Sequence, residues 1–358
     1  MWRFMLNVLD MFCGCGGLSL GFEQTGKFKI IAGVDNYTDA LNTFELNHHG
    51  AKGLNIDLFS ESFIDDIKTG LNNKVIDVII GGPPCQGFSL TGPRNFDDKR
   101  NTLYLAMVKT VQELRPKAFL IENVPGLVNC YKGQVKDEII KRFTELGYKV
   151  QYKILTAADY GVPQTRRRVF FVGIRNDIIK DFAYPEPKLT SENYITTASA
   201  ISDLPECIQD LGQETSTYDK PPATEYQKLM RGTSDILYNH VASAHSQKVI
   251  DVISQVPDGG NYKDLPPGVG ESRKFHVAWT RYNSRKPSNT IDTGHRNHFH
   301  YKLNRVPTVR ENARLQSFPD NFKVTGSKTS QFRQIGNAVP PLLAQALAEC
   351  LADTLSEK

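Results

Sequence analysis

The chain has 358 residues and a mass of 40.2 kDa, more than the roughly 100–200 residues of one domain, so a large domain with a smaller companion is expected. With 40% hydrophobic and 23% charged residues, the composition excludes a disordered chain and a small disulfide scaffold. The net charge of +4 is too small to indicate a polyanion partner, but it is unevenly placed: Glu186 to Glu271 holds 6 Lys and Arg against 13 Asp and Glu, whereas Arg273 to Arg314 holds 10 against 2.

The start of the chain, Met1 to Phe12, is apolar but carries Arg3, Asn7 and Asp10 and leads into no small-residue cleavage site, so it reads as a first strand and not as a secretory signal. Short β-rich runs then alternate with amphipathic stretches. The strands fall near Phe4 to Leu9, Lys29 to Val34, Val75 to Ile80, Ala118 to Ile121, Tyr148 to Leu155 and Arg168 to Ile174. The helices fall near Leu18 to Gln24, Thr38 to His48, Thr102 to Leu114 and Val135 to Leu146. This alternation predicts an α/β fold, a mostly parallel sheet covered by helices on both faces. The longest apolar runs fall far short of the roughly 18 residues that cross a bilayer, and a cytoplasmic protein is expected.

After Arg175 the alternation fades, and Tyr184-Pro-Glu-Pro, Pro221-Pro222, Pro257-Asp-Gly-Gly and Pro266-Pro267-Gly mark a loop-rich region. Near the end, Pro340-Pro341 precedes Leu342, Leu343, Ala346, Leu347, Cys350 and Leu351 at helical spacing, a last helix expected to pack on the large domain. The expected division is residues 1–185 completed by 330–358 for the large domain and 186–329 for the small one.

The six cysteines, Cys13, Cys15, Cys85, Cys130, Cys207 and Cys350, form no C-x-x-C pair, so neither a disulfide framework nor a usual zinc spacing is present. The first strand runs into Asp10-Met-Phe-Cys-Gly-Cys-Gly-Gly-Leu-Ser-Leu-Gly21, a glycine-rich turn of the kind that lets a ligand approach backbone amides. Ser19 stands where the dinucleotide fingerprint needs its third glycine, which favours another adenosine-bearing ligand over a nicotinamide dinucleotide. Asp35 ends the next strand where a carboxylate can accept ribose hydroxyls, and Asp57 would end a third strand and meet an adenine amino group. The same pattern is also compatible with a plain tight turn and two loop aspartates.

Val75 to Ile80 leads into Gly81-Gly-Pro-Pro-Cys-Gln-Gly-Phe-Ser89, whose two prolines hold Cys85 in a fixed loop at the carboxyl edge of the sheet. A buried, unreactive thiol is the alternative there. Glu122-Asn-Val124 emerges from its strand at the same edge, and Gln164-Thr-Arg-Arg-Arg168 precedes another strand. Thiol, carboxylate and arginines together would make an activated nucleophile beside a proton donor; separately they would be a strand-end acid and a surface cluster.

Phe12-Cys-Gly-Cys-Gly-Gly17, Gly82-Pro-Pro-Cys-Gln86, Glu122-Asn-Val124, Gln164-x-Arg-x-Arg168, Arg310-Glu-x-x-Arg-Leu-Gln-x-Phe-Pro319 and Gln334-Ile-Gly-Asn-Ala-Val339 occur in a fixed order. In that order the chain resembles cytosine-C5 DNA methyltransferases of the prokaryotic restriction-modification type over nearly its whole length. The resemblance implies a Rossmann-like S-adenosylmethionine-dependent methyltransferase domain, S-adenosylhomocysteine as product, and a smaller target-recognition domain. It makes Cys85 the thiolate that adds to carbon 6 of a flipped cytosine, with Glu122 at ring nitrogen 3, Asn123 holding the loop, and Arg166 and Arg168 near cysteine and base.

By the same resemblance Phe12 stacks on adenine, Gly14, Gly16, Gly17 and Leu18 surround the methionine part, and Asp35 and Asn36 hold the ribose. Asp57 and Leu58 meet the adenine, Pro84 and Leu103 wall the pocket, and Asn337 and Ala338 complete it. Cys13 and Cys15 stand where relatives usually carry other small residues and read as packing residues.

For double-stranded DNA, the basic and aromatic segment Arg273 to Arg314 suits phosphate and base contact, with Arg281, Arg285, Arg296 and His298 as candidates beside Gln86 and Ser89. His295, His298 and His300 would suit a metal only with further ligands that the sequence does not place nearby, so no metal is expected. The resemblance implies a monomer and a cognate endonuclease reading the same site. A transfer-RNA methyltransferase of the same fold and a non-catalytic DNA-binding relative are the alternatives.

Overall fold

The computed structural model describes residues 5–84, 103–272, 275, 277–294 and 297–356. Cys85, Gln86, Ser89, His295 and Arg296 lie outside these described residues. The chain separates into two compact units, one of Met1–Thr156, Arg167–Glu186 and Pro341–Lys358, the other of Ala157–Arg166 and Pro187–Pro340. Relative to the expected division, 157–166 and 330–340 go with the second unit. The reason is local: Gln164 and Arg166 spend their side-chain donors on residues 315, 316, 336 and 337.

The first unit is built on a seven-stranded sheet of β1 (Leu6–Met11), β2 (Phe28–Asp35), β3 (Lys52–Asn55), β4 (Val78–Gly81), β5 (Ala118–Asn123), β6 (Tyr148–Thr156) and β7 (Arg167–Arg175) in the order 3-2-1-4-5-7-6. Strands β1 to β5 pair in parallel, and β7 runs antiparallel to both β5 and β6. Around it stand α1 (Gly17–Gln24), α2 (Thr38–Asn47), α3 (Phe63–Leu71), α4 (Leu103–Leu114), α5 (Gly126–Asn129) and α6 (Gln134–Glu145).

Because β1, β4 and β5 are covered on both sides, they read as near-continuous apolar runs and not as alternating ones. On one face Leu9, Ile31, Ile79, Ile121 and Phe171 share a core with Ile67 of α3, Met107 of α4 and Phe143 of α6. Removing such side chains from water contributes about 1.5–3 kcal/mol each. Phe119 shows how sequence sets the packing: its register partner across β5 and β7 is Gly173, where a β-carbon would fall 2.0 Å from the Phe119 ring. The ring therefore lies over the neighbouring strand and packs on Phe143, with centroids 4.1 Å apart.

After the second unit, α12 (Pro341–Leu355) returns to pack on α1, as its apolar repeat predicts. Strand β3 ends two residues before Asp57, near where a third strand is expected, whereas helix α3 is an element that the chain's patterning does not single out. Among the described residues no helix is long and apolar enough to cross a membrane.

The second unit has few regular elements: α7 (Thr197–Ile201), β8 (Thr215–Thr217), α8 (Glu225–Arg231), β9 (Ile236–Tyr238), α9 (Gln247–Ser254), β10 (Thr280–Arg281), β11 (His298–Phe299), α10 (Val309–Leu315) and α11 (Lys328–Asn337). Ladders this short leave many backbone carbonyls without partners, and buried arginines supply the missing donors. Arg310 donates to the carbonyls of Tyr238, Pro319 and Phe322. Arg314 joins Ala200 O to both Asp203 and Asp320, and Arg305 makes a two-point pair with Glu311 at 2.8 and 2.7 Å. Capping boxes at Thr224 and Thr308 start α8 and α10.

Candidate active site

Within the first unit, β1 ends in a turn whose backbone demands its glycines: Gly14 and Gly16 adopt φ of 52° and 90°, and Gly16 precedes α1. Space beyond Gly14 is open, with nothing within 4 Å of a β-carbon built there. Phe12, also at positive φ (60°), is half-buried beside this turn. Asp35 ends β2 and braces the turn, its two carboxylate oxygens accepting Gly14 N–H and Tyr37 N–H at 2.9 Å each. Asp57 lies two residues beyond β3, exposed, with one oxygen accepting Phe59 N–H. Leu58 beside it and Leu103 at the start of α4 are half-buried, Asn36 is exposed, and Gly17 and Leu18 are buried. An open glycine turn, an aromatic side chain and carboxylates at successive strand ends suit a ligand with a cationic chain, a ribose and a base.

Cys13 and Cys15 are buried in the turn, and burial pushes both thiols up, Cys15 to about 12. They are packing groups and not nucleophiles. Beneath the turn lies Asp10, 1% exposed, accepting a 2.6 Å hydrogen bond from Ser19 Oγ. Burial raises its carboxyl to about 7, and Asp35 adds to the rise while the Ser19 bond opposes it. The only sign of it in the sequence is an acid inside an apolar strand.

That carboxyl keeps a proton in the folded chain which the unfolded chain, near 3.8, releases. Its contribution to stability is therefore intact below about pH 4 and lost as the pH rises through about 7. Asp10→Asn is expected to gain stability over the parent at pH 8 and to gain little at pH 4 in chemical unfolding. A difference that does not change with pH would contradict this.

At the ends of β4 and β5 the chain forms a second cluster. Glu122 and Asn123 close β5, and Asn123 Nδ2 donates to Pro83 O at 3.0 Å while its Oδ1 accepts Val124 N–H. Gly82 leaves room for the carboxylate, since a β-carbon there would meet Glu122 Oε2 at 3.2 Å. The antiparallel β5–β7 pairing brings Arg168 to the same place, where its Nε lies 2.8 Å from Glu122 Oε1. Pro84, half-buried, ends the described part of this loop, one residue before Cys85.

In the second unit three motifs distant in sequence converge. Gln164 donates to Leu315 O and Gln316 Oε1, Gln316 donates to Ile335 O and Ala338 O, and Arg166 donates to Gly336 O and Asn337 O. Arg166 is 2% exposed and fixes the end of α11, where Asn337 is exposed and Ala338 half-buried. Arg168 is the arginine that pairs with Glu122.

The basic segment needs correction. Arg281 is 5% exposed and its guanidinium is spent on Val256 O, His300 O, Leu303 O, Ile253 O and Asn304 Oδ1, which leaves no donor for a phosphate. His298 is buried, stacked on Tyr282 and 3.4 Å from Asp292. His300 is also interior, and its Nδ1 accepts Lys302 and Leu303 N–H. Arg285 and Lys286 are exposed.

Residues 6–353 match the model of the C-5 cytosine-specific DNA methylase family. The chain is 38% identical to type II methyltransferase M.DdeI of Desulfomicrobium norvegicum, over 96% of this chain and 88% of that protein. It is 40% identical to type II methyltransferase M1.HphI of Haemophilus parahaemolyticus, over 97% and 86%. A DNA modification methyltransferase encoded within a prophage of E. coli superposes with a TM-score of 0.83 at 30% identity, covering 98% of this chain and all of that one. The Dnmt2 methyltransferase of S. pombe, 16% identical with a TM-score of 0.60, shares the fold.

Fold and site thus define a methyltransferase built on a mostly parallel sheet. The chain belongs to the C-5 cytosine-specific DNA methylase family, and it is a DNA (cytosine-5-)-methyltransferase.

Proposed function

We propose that this enzyme methylates one cytosine of a short duplex DNA sequence from S-adenosylmethionine, through a covalent bond from Cys85, as the protective partner of an endonuclease reading the same site. The observation that supports this most is Glu122 and Asn123 held against Gly82 and Pro83, within three residues of Cys85, with Arg168 paired to the carboxylate.

The family draws its methyl group from S-adenosylmethionine, and the turn of Gly14, Gly16, Gly17 and Leu18 with Phe12, Asp35, Asn36, Asp57 and Leu58 is our assignment for its binding. Pro84 and Leu103 would wall that site. When bound, the sulfonium supplies an electrophilic methyl group. Cys85 thiolate adds to carbon 6 of the extrahelical cytosine, and the ring's electron pair moves toward nitrogen 3, where Glu122 supplies a proton or hydrogen bond. Arg168 orients that carboxylate, and Asn123 fixes the loop that carries the thiol. After methyl transfer, loss of the carbon 5 proton expels the thiolate and restores the ring.

Phosphate contact falls to exposed groups such as Arg285 and Lys286. Arg285→Ala is expected to reduce the slope of log K against log salt by about one, whereas Arg281→Ala should lower stability and leave the slope unchanged. Parallel slopes for parent and Arg285→Ala, in binding titrations from low to high salt, would remove Arg285 from the DNA face. The enzyme is proposed to act as a cytoplasmic monomer. Incubation with methyl-tritiated S-adenosylmethionine and either duplex DNA or transfer RNA tests the substrate: label is expected in the DNA alone, and label confined to the RNA would overturn the reading.

A further inference from the structure

The glycine turn between β1 and α1 is braced from a side that no sequence motif marks. His48 closes α2, its imidazole fully buried, with Nδ1 2.5 Å from Glu23 Oε2 in the last turn of α1. The ring packs on Phe44, centroids 4.6 Å apart. It also lies against Gly16, where a β-carbon would fall 2.1 Å from His48 Nε2 and 2.9 Å from Phe44 Cδ2. Further along α1, Gly21 is pressed on α12, where a β-carbon would be 2.4 Å from Ala344 Cβ and 2.5 Å from Pro341 O. An eight-residue helix is marginal by itself, so these two close approaches decide where its first turn lies.

We propose that His48, locked by Glu23, is a positioning residue for the methyl donor: it holds Gly16 and the turn behind it at the height the donor needs, without touching the donor. The proposal rests on reading that turn as the S-adenosylmethionine site. Gly14 N–H is fixed by Asp35 and the backbone of Gly16 by Cys13 O, so a shift at Gly16 moves the whole turn. Binding groups must be held within about 0.5 Å of their working positions, which a turn of this freedom reaches only when packed from below. Glu23 acts at the far end of the same helix, through the imidazole.

The test uses Glu23→Ala and Glu23→Gln in the full chain. Glu23 is partly exposed, so neither change threatens folding, and glutamine can keep a hydrogen bond to His48. Glu23→Ala is expected to weaken S-adenosylmethionine binding in calorimetry about tenfold and to raise the donor KM in parallel. Turnover at saturating donor and the KM for DNA should stay within about twofold, and Glu23→Gln should recover most of the affinity. His48→Asn, which keeps a donor near Glu23 but removes the ring beneath Gly16, should also raise the donor KM. Unchanged donor affinity in Glu23→Ala overturns the role, as does a loss confined to turnover and unfolding temperature. If the parent enzyme itself fails to bind S-adenosylmethionine, the proposal falls together with the site reading it rests on.

Discussion

Cys85→Ser is expected to lose methyl transfer by more than about 10⁴-fold while binding duplex DNA within a few-fold of the parent. The asymmetry follows from the chemistry. Carbon 5 of cytosine becomes nucleophilic only when a strong, polarisable nucleophile adds to carbon 6, and a serine hydroxyl at neutral pH is almost wholly protonated and far weaker than a thiolate. Duplex affinity, in contrast, comes mainly from phosphate contacts elsewhere. Tritium incorporation into DNA and a binding titration at fixed salt measure the two effects separately. Retained turnover would remove Cys85 from the reaction, and Glu122 and Asn123 would then need another explanation for their place beside the same loop.

Arg314→Leu is expected to destabilise the second unit by about 3–5 kcal/mol, the usual cost of removing one partner from a buried ion cluster. Arg314 and Asp320 are fully buried, and two bonds of 2.6 Å join them. The guanidinium also reaches Asp203 at 3.0 Å. Its charge holds the Asp320 carboxyl below the usual range against the opposing effect of burial. Without it Asp203 keeps Arg231, but Asp320 keeps only Arg310 at 3.8 Å and the Tyr218 hydroxyl. Denaturant unfolding followed by the fluorescence of Trp279, which lies in this unit, reads the loss. A variant within about 1 kcal/mol of the parent would show that leucine packing replaces the network.

The sheet of the first unit is legible because strands buried on both faces leave dense apolar runs and the helices between them keep a 3.6-residue period. Strand β3 escapes that logic: Lys-Gly-Leu-Asn is an edge strand with one apolar residue. In α3, Gly70 and the preceding Ser-Glu-Ser look like loop, although Phe63, Ile64, Ile67 and Leu71 all reach the core. Glu122 and Asn123 are legible as a strand end at the edge where such folds carry their chemistry.

The arginines are the instructive failure. A basic segment has the same composition whether its guanidinium groups face phosphate or backbone carbonyls, and in a unit poor in ladders Arg281, Arg305, Arg310 and Arg314 all turned inward. From the described part of that segment Arg285, Lys286 and Lys302 are exposed cations, and Lys302 is already paired with Glu206. His48 was invisible for a related reason, since its contacts with Glu23 and Gly16 join residues 25 and 32 positions away and leave no local pattern.

Bisulfite sequencing of plasmid DNA from a methylation-free host expressing this chain, with the Cys85→Ser variant alongside, tests the central claim most directly. Cytosines protected from conversion in one short recurring sequence, and full conversion with the variant, are the expected result. Complete conversion of every cytosine by a soluble chain that binds S-adenosylmethionine would contradict it.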